Sequence, residues 1–391
     1  MSKKINQIDK LRREINKIDS SLLDLFSKRR ELSKEIIKAK DLNDLPIRDE
    51  KREKELLNRL INEGKQKGLE AEYVSRIFYE VIENSVRLQQ KYIQQQANKR
   101  DRKKKKIKVA IQGIEGSYSY LTAQRFFNDY EDSIEFVGEE RFEEVAKAVE
   151  NGEADYAILP IENTTSGGIN EVYDILLHTT LSIVGEEKFK VEHCLCCTEE
   201  IPLEKIKKIY GHYQAAAQCS GFIDTLNNPT LEYFADTAMS VKRISEEKNK
   251  FHAAIASEEA AKVFGVKILK KNIANQPENF TRFLICARKP ISIDKRVPSK
   301  TSIVMATAHT AGALVEGLMT FRKYNINLTK LESRPILGNP WEEMFYLDLE
   351  GNLSDKNVQK AIHELTPFTR FLKILGSYPS KDLPKTKIID E

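Results

Sequence analysis

No apolar run in this chain approaches the roughly 18 residues that a membrane-crossing helix requires, so no membrane partner is expected. The N-terminus, MSKKINQIDKLRREIN, lacks an apolar stretch of the kind an export signal carries. Cysteine is scarce and odd in number, five in all, which argues against a disulfide framework. Three of the five follow His193 in the run VEHCLCC. That spacing matches no usual zinc pattern and reads as a buried strand, so no metal is expected. Free thiols in an unexported chain fit the cytoplasm. A net charge of only +4 gives no reason to expect nucleic acid as a partner. What is present is 40% hydrophobic and 31% charged residues over 391 positions. This is the make-up of a soluble protein with two to four domains of roughly 100–200 residues each.

Three blocks follow one another. In the first, apolar residues fall at Ile8, Leu11, Ile15, Ile18, Leu22 and Leu25, and the rhythm resumes at Leu32, Ile36 and Ala39. That is a heptad seam on a helix over about 5–42, long enough to need another long helix or another chain as its partner. Leu45-Pro46 ends it. Further helices are predicted over about 48–63 and 70–95, the latter with Val74, Phe78, Val81, Leu88 and Tyr92 on its seam. QQQANKRDRKKKK then reads as a solvated linker over 97–106, since no aromatic residues interleave with its cations. The second block, 107–288, alternates strands and helices as an α/β unit of two lobes with a cleft. Its predicted strands include LSIVGEEKFKVEHCL and TRFLICA. The third block, 300–385, orders its elements βαββαβ, the ferredoxin-like split unit, often a ligand sensor.

The helical seam has one fault. After Leu25 its next step is Arg29, and a guanidinium buried there costs several kcal/mol unless something anionic answers it. Arg12 and Lys40 flank the same seam, Ser85 occupies a seam position on the third helix, and Gln89 lies one turn on. Asp49, Arg52 and Glu53 stand on the second helix. Cations, an amide and carboxylates so gathered suit a small dianion carrying a hydroxyl.

At RREIN, RRELS, KAK, PIRDEKRE and ENSVRLQQ the block resembles the all-helical chorismate mutases. The resemblance implies two chains exchanging long helices, with Arg12 supplied by the partner chain. It implies Arg29 and Lys40 on the substrate carboxylates, Lys40 and Gln89 at the ether oxygen, and Asp49 and Glu53 at the ring hydroxyl. Arg52 and Ser85 complete the wall. The chemistry agrees. Rearranging chorismate to prephenate is unimolecular and needs no base, nucleophile or cofactor. It needs a compact conformer held in place and donors where charge grows on the ether oxygen.

In the second block, Gly113-Ile114-Glu115-Gly116-Ser117-Tyr118-Ser119 follows the first strand and opens a helix. IENTTSGGINEVYD places Glu162 and Asn163 at a strand end and Thr164 to Gly168 at the expected start of the next helix, where donors gather. His212 in GHYQ reads as structural, with Gln218 beyond it. ENFTRFL sets Thr281 and Arg282 on a short strand with no histidine, cysteine or carboxylate triad beside them. Together GSYS, ADYAILPIENTTSGGINEVYDIL and ANQPENFTRF resemble prephenate dehydratases. The chain departs from that family's usual Gly-Pro before GSYS and from its Ser-His-Pro, with Ile114-Glu115 and Gly211-His212-Tyr213 in their places. The resemblance implies Thr281 as donor to the departing hydroxyl of prephenate, Asn163 and Gln218 orienting the ring or its hydroxyl, and Arg282 holding a carboxylate. Glu162 would serve as an acid only if buried and protonated.

Gly312-Ala313-Leu314-Val315 and Leu331-Glu332-Ser333-Arg334-Pro335 in the third block resemble the phenylalanine-binding motifs of ACT domains. Phenylalanine would sit between two copies of the block. The whole chain thus resembles the bifunctional chorismate mutase–prephenate dehydratases of phenylalanine synthesis, acting as a dimer or higher oligomer. Two other readings compete: a helical block that only dimerises a dehydratase, and a noncatalytic solute-binding module whose basic linker touches nucleic acid.

Overall fold

The computed structural model describes residues 2–42, 45–98, 106–307, 310–336 and 339–382. The linker expected over 97–106 lies mostly outside them. Among the described residues the chain divides into two compact units. One takes in the residues up to 100 with the short segment 294–297, the other residues 101–293 and 298–381.

In the first unit, α1 (Ser2–Leu42), α2 (Glu50–Gln66) and α3 (Ala71–Ala97) are the three helices that periodicity predicts. Asp49 caps α2 by accepting from the Arg52 amide at 3.0 Å. The core is small: Ile37, Ile47, Leu57, Val74, Ile82, Val86 and Ile93. The heptad seam does not contribute to it. Ile15 and Ile18 are 56% and 60% exposed, and Leu11, Leu22, Leu25 and Leu32 are exposed as well. One chain therefore leaves a long apolar stripe uncovered.

The second unit begins with β1 (Ile107–Gln112), α4 (Tyr118–Phe126), β2 (Ile134–Glu139), α5 (Phe142–Glu150), β3 (Tyr156–Asn163), β4 (Gly167–Gly168), α6 (Asn170–His178) and β5 (Ser182–Lys190). A second lobe follows: β6 (Cys194–Cys197), β7 (Lys208–Gly211), α7 (Tyr213–Gln218), α8 (Ser220–Ile223), β8 (Thr230–Tyr233), α9 (Thr237–Glu247), β9 (His252–Ala256), α10 (Glu258–Val263) and β10 (Lys267–Lys270). β11 (Phe280–Ala287) returns to the first lobe. The sheets run β2-β1-β3-β11-β5 and β10-β6-β9-β7-β8. The chain passes between them twice, at 191–193 and at 271–279. The single strand expected at LSIVGEEKFKVEHCL is thus two strands in different sheets, because the backbone must turn between lobes there.

A third sheet closes the unit. β12 (Ser299–Thr307), α11 (Ala313–Lys323), β13 (Leu328–Ile336), β14 (Asn339–Glu350), α12 (Lys356–Leu365) and β15 (Thr369–Pro379) form an antiparallel sheet ordered β13-β14-β12-β15. It is not a loose appendage. Val304, Ala306, Tyr346, Leu375 and Tyr378 share one buried core with Leu159, Ile161, Tyr173, Leu176, Ile183 and Leu284 of the first lobe. β15 lies so close to β5 that a side chain at Gly376 would meet the Ile183 carbonyl oxygen at 2.3 Å, which only glycine tolerates.

Candidate functional sites

In the helical unit, Arg29 reaches across to α3. Its guanidinium donates to the Val81 carbonyl at 3.1 Å and to Ser85 Oγ. Ser33 Oγ donates to Ser85 Oγ at 3.2 Å. Burial lowers the pKa of Arg29. Phe26, Arg29, Arg30, Arg76, Ser85 and Arg87 are among the residues lining a cation-rich cavity at this point. Gln89, one turn beyond Ser85, is buried with its Oε1 unpartnered among the described residues. An acceptor left so calls for a hydrogen-bond donor, such as a ligand hydroxyl. Lys40 donates to the Ile47 carbonyl at 2.7 Å. Burial lowers its pKa, while the carboxylates of Asp49 and Glu53 act against that shift. Those three predicted residues thus form one cluster.

Two predicted members stand apart. Arg52 is exposed on α2. Arg12 is exposed and touches only Asp9, at 3.7 Å. It lies 17 positions before Arg29 on the same helix, about 25 Å at 1.5 Å per residue, beyond the reach of any side chain. The sequence reading missed Arg48, which bridges Glu53 at 3.0 Å and Glu83 at 3.3 Å.

In the second unit, β11 pairs antiparallel with β3, Thr281 opposite Asn163 and Arg282 opposite Glu162. Because strand side chains alternate, these two pairs face opposite sides of the sheet. Thr281 and Asn163 face the cleft. Asn163 Nδ2 donates to Thr281 Oγ1 at 3.0 Å and to Asn279 Oδ1 at 2.7 Å. Asn163 Oδ1 accepts from the Thr165 and Ser166 amides at 2.9 Å each. Gln218 Nε2 donates to Thr165 Oγ1 at 2.8 Å and Ser166 Oγ at 2.9 Å, tying the second lobe to the first. The structure therefore brings Thr281, Asn163 and Gln218 together. Thr164 to Gly168 do not open a helix. They turn β3 back on itself as a hairpin with β4, and α6 starts only at Asn170. His212 caps the short helix that ends in Gln218, its Nδ1 accepting from the Gln214 amide.

The assignment of Arg282 to a substrate carboxylate needs correction. Its side chain is 9% exposed and turned away from the cleft, and each nitrogen of its guanidinium is engaged. Nε meets Glu186 at 2.8 Å, Nη1 meets Asp348 at 2.7 Å and Glu162 at 3.1 Å, and Nη2 donates to Tyr378 at 2.9 Å. Nor does Glu162 suit the role of a protonated acid. Burial would raise its pKa, but hydrogen bonds from Lys330 and Arg282 outweigh burial and hold it below the ordinary carboxylate range. The cluster continues through Lys330, 2.7 Å from Glu162 and 3.0 Å from Glu332. Strand alternation explains the misplacement of Arg282: the residue next to Thr281 must point the other way.

In the third block, Gly312 stands just before α11 with φ +84°. Ala313 is buried, Leu314 packs on the sheet and Val315 is exposed. On β13, Glu332 and Arg334 face the first lobe, and Arg334 pairs with Asp174 at 2.9 Å, which corrects its place in a free effector pocket. Ser333 lies on the other, exposed face. Cys194, Cys196 and Cys197 are all buried free thiols on β6. No helix among the described residues is long and apolar enough to cross a membrane.

An all-helical unit in which a half-buried arginine meets a buried serine, ahead of a two-lobed α/β unit with a cluster of amides and hydroxyls, defines a two-site enzyme of carbon-skeleton rearrangement and dehydration. The chain matches the family Chorismate mutase type II over residues 11–90 and the family Prephenate dehydratase over residues 109–291. It is 44% identical to the bifunctional chorismate mutase/prephenate dehydratase of Escherichia coli (strain K12), over 97% of each chain. It is 33% identical to the protein of that description in Aquifex aeolicus (strain VF5), over 96% of this chain and 98% of the relative. A crystal structure of prephenate dehydratase in complex with L-Phe from Arthrobacter aurescens superimposes with a TM-score of 0.63 at 28% identity, covering 70% of this chain and 90% of that one. The chain belongs to the bifunctional chorismate mutase/prephenate dehydratase family. It rearranges chorismate to prephenate, then decarboxylates and dehydrates prephenate to phenylpyruvate.

Proposed function

We propose that the two reactions are divided between a mutase domain over 1–96 and a dehydratase domain over 107–288, with an ACT regulatory domain over 300–385. Residues 383–385 lie outside the described ones. The observation that carries the dehydratase reading is the Asn163–Thr281 pair on the cleft face of β3 and β11. When prephenate reacts, its ring carboxylate leaves as carbon dioxide and its electron pair enters the ring. The ring C–O bond then breaks, and the hydroxyl takes a proton and leaves as water. Aromaticity drives this, so no base is required. Thr281 donates a hydrogen bond to the departing oxygen, while Asn163 and Gln218 hold the ring and hydroxyl in line. Incubating the protein with chorismate and following prephenate and phenylpyruvate tests both activities at once.

In the mutase domain, Arg29 and Lys40 hold the substrate carboxylates, and Gln89 with Lys40 faces the ether oxygen. Asp49 and Glu53 meet the ring hydroxyl, with Arg52 and Ser85 completing the wall. Arg12 comes from a second chain. The uncovered stripe from Ile8 to Ile36 supports this, as does the roughly 25 Å between Arg12 and Arg29 along one helix. Ile18→Glu is expected to weaken the dimer and to lower the mutase rate with it, since a charge on that seam is desolvated on pairing. Sedimentation velocity read beside mutase turnover checks this. Dimers and activity both intact would place the partner interface elsewhere. Five buried free thiols fit a reducing compartment such as the cytoplasm.

The order β13-β14-β12-β15 supports reading the third sheet as a ferredoxin-like ACT domain, with phenylalanine as its effector. Gly312 before α11, the exposed Val315 and Leu331, and Ser333 offer a site that a second copy would complete. Glu332 offers a route inward, because it joins Lys330 and hence Glu162, next in sequence to Asn163. Gly312→Val is expected to abolish inhibition of dehydratase turnover by phenylalanine. Valine also meets left-handed backbone there, costing about 1–2 kcal/mol. Basal turnover is thus the folding control. Inhibition at the wild-type concentration would place the effector elsewhere.

A further inference from the structure

His193 is the least explained side chain near the cleft. It is 2% exposed and lies at one of the two crossovers between lobes. Asn279, 1% exposed, lies at the other. The crossovers are stitched together, the Val191 amide donating to the Asn279 carbonyl at 2.8 Å and the Ile273 amide to the His193 carbonyl at 3.0 Å. Between them runs a ladder of side chains that ends at Thr281.

The direction of that ladder follows from the backbone. An N–H of the main chain can only donate, so the atom of Asn163 facing the Thr165 and Ser166 amides is its oxygen. Its Nδ2 therefore faces Asn279 and Thr281. An amide nitrogen only donates, so the Asn279 atom it meets is Oδ1, and Asn279 Nδ2 donates in turn to Gln218 Oε1 at 2.9 Å. That oxygen also lies 3.0 Å from His193 Nε2. The contact is a hydrogen bond only if Nε2 carries the proton. Burial lowers the pKa of His193 to about 4, so the ring is neutral and carries one proton. Nδ1 is then bare and faces Tyr118 Oη at 3.1 Å, whose one hydrogen is shared between it and the Glu192 carbonyl at 3.0 Å. The other tautomer would set two acceptors against each other across 3.0 Å, in a buried site where nothing relieves the repulsion.

At the far end of the ladder, Thr281 Oγ1 accepts from Asn163 and keeps its own hydrogen for the cleft. A reversed ladder would let an amide oxygen take that hydrogen. We propose that His193, as the Nε2–H tautomer that Gln218 Oε1 requires, is a positioning residue of the dehydratase: it holds Gln218 with its NH2 toward the Thr164–Gly168 hairpin, and so helps to keep the Thr281 hydroxyl a donor to the leaving group. This rests on the reading of Thr281 above.

Glutamine can place an N–H where Nε2 stands, and leucine cannot. His193→Leu is expected to lose dehydratase turnover by roughly 10–100-fold, the range usual for residues that orient an active group, with little change in KM. His193→Gln recovers most of it. An unchanged KM for prephenate in the same preparations reports that the dehydratase unit is folded. Independently of any variant, 15N NMR of the wild-type full chain reads the His193 tautomer, with the expected pattern a protonated Nε2 and a bare Nδ1. A proton on Nδ1 overturns the proposal. So does a glutamine variant as impaired as the leucine one, which would make His193 a space-filling residue, or a leucine variant with normal turnover. Full turnover in Thr281→Ala beside a loss in His193→Leu would show that the reading of Thr281 alone had failed.

Discussion

Thr281→Ala is expected to lower dehydratase turnover by about 10²–10³-fold while the KM for prephenate moves little. That is the usual loss when one preorganised donor aimed at developing charge is removed. The hydroxyl's contribution is realised only as the ring C–O bond breaks, so its absence belongs to turnover and not to ground-state binding. Thr281 Oγ1 accepts from Asn163 at 3.0 Å, so alanine leaves one amide hydrogen without that acceptor, while Asn163 keeps Asn279 and the Phe280 carbonyl. Thr281→Ser, which restores the donor with one methyl fewer, recovers part of the rate. Steady-state kinetics with prephenate decide the matter. A change confined to KM would make Thr281 a binding group and leave the departing hydroxyl without its donor.

Arg29→Ala is expected to remove chorismate mutase activity and leave prephenate turnover largely intact. Losing one partner of a partly buried, charge-assisted contact costs about 3–5 kcal/mol, several hundredfold or more in rate. Here the loss also leaves Ser33 and Ser85 facing a hole in the wall of a cavity lined by further arginines. Arg30, Arg76 and Arg87 do not substitute, because none of them makes the hydrogen bonds to Ser85 and Val81 that fix the direction of Arg29. Chorismate turnover near the wild-type rate in a folded variant would end the assignment.

The buried ion cluster changes how the dehydratase site is understood. Arg282 stands beside Thr281 in sequence yet belongs to the contact between β11 and the third sheet, where Glu186, Asp348 and Tyr378 hold it. The strand that bears Thr281 is thereby anchored from behind by Asp348 and Tyr378 of the third block. The cleft face itself offers amides and hydroxyls around Thr281, consistent with a reaction that needs no base.

The sequence by itself determined the class of the helical block and of the α/β block. Helical periodicity located α1 to α3 because an amphipathic helix must repeat near 3.6 residues whatever it packs against. Arg29 stood out because a charge on that seam has few explanations other than an anion. IENTTSGG and TRF carried the dehydratase resemblance for a local reason as well: both stretches sit at strand ends, where side chains and turn geometry are set by near neighbours. Only the tertiary structure decided which neighbours they meet. LSIVGEEKFKVEHCL looks like one strand because apolar and polar residues alternate through FKVEHC, yet its halves lie in different sheets and His193 falls in the turn. Arg282 looked like a substrate ligand because its partners, Glu186 and Asp348, are 96 and 66 residues away in sequence. Long-range pairing and the choice of face are properties of the packed sheet, and periodicity along one strand carries no information about either.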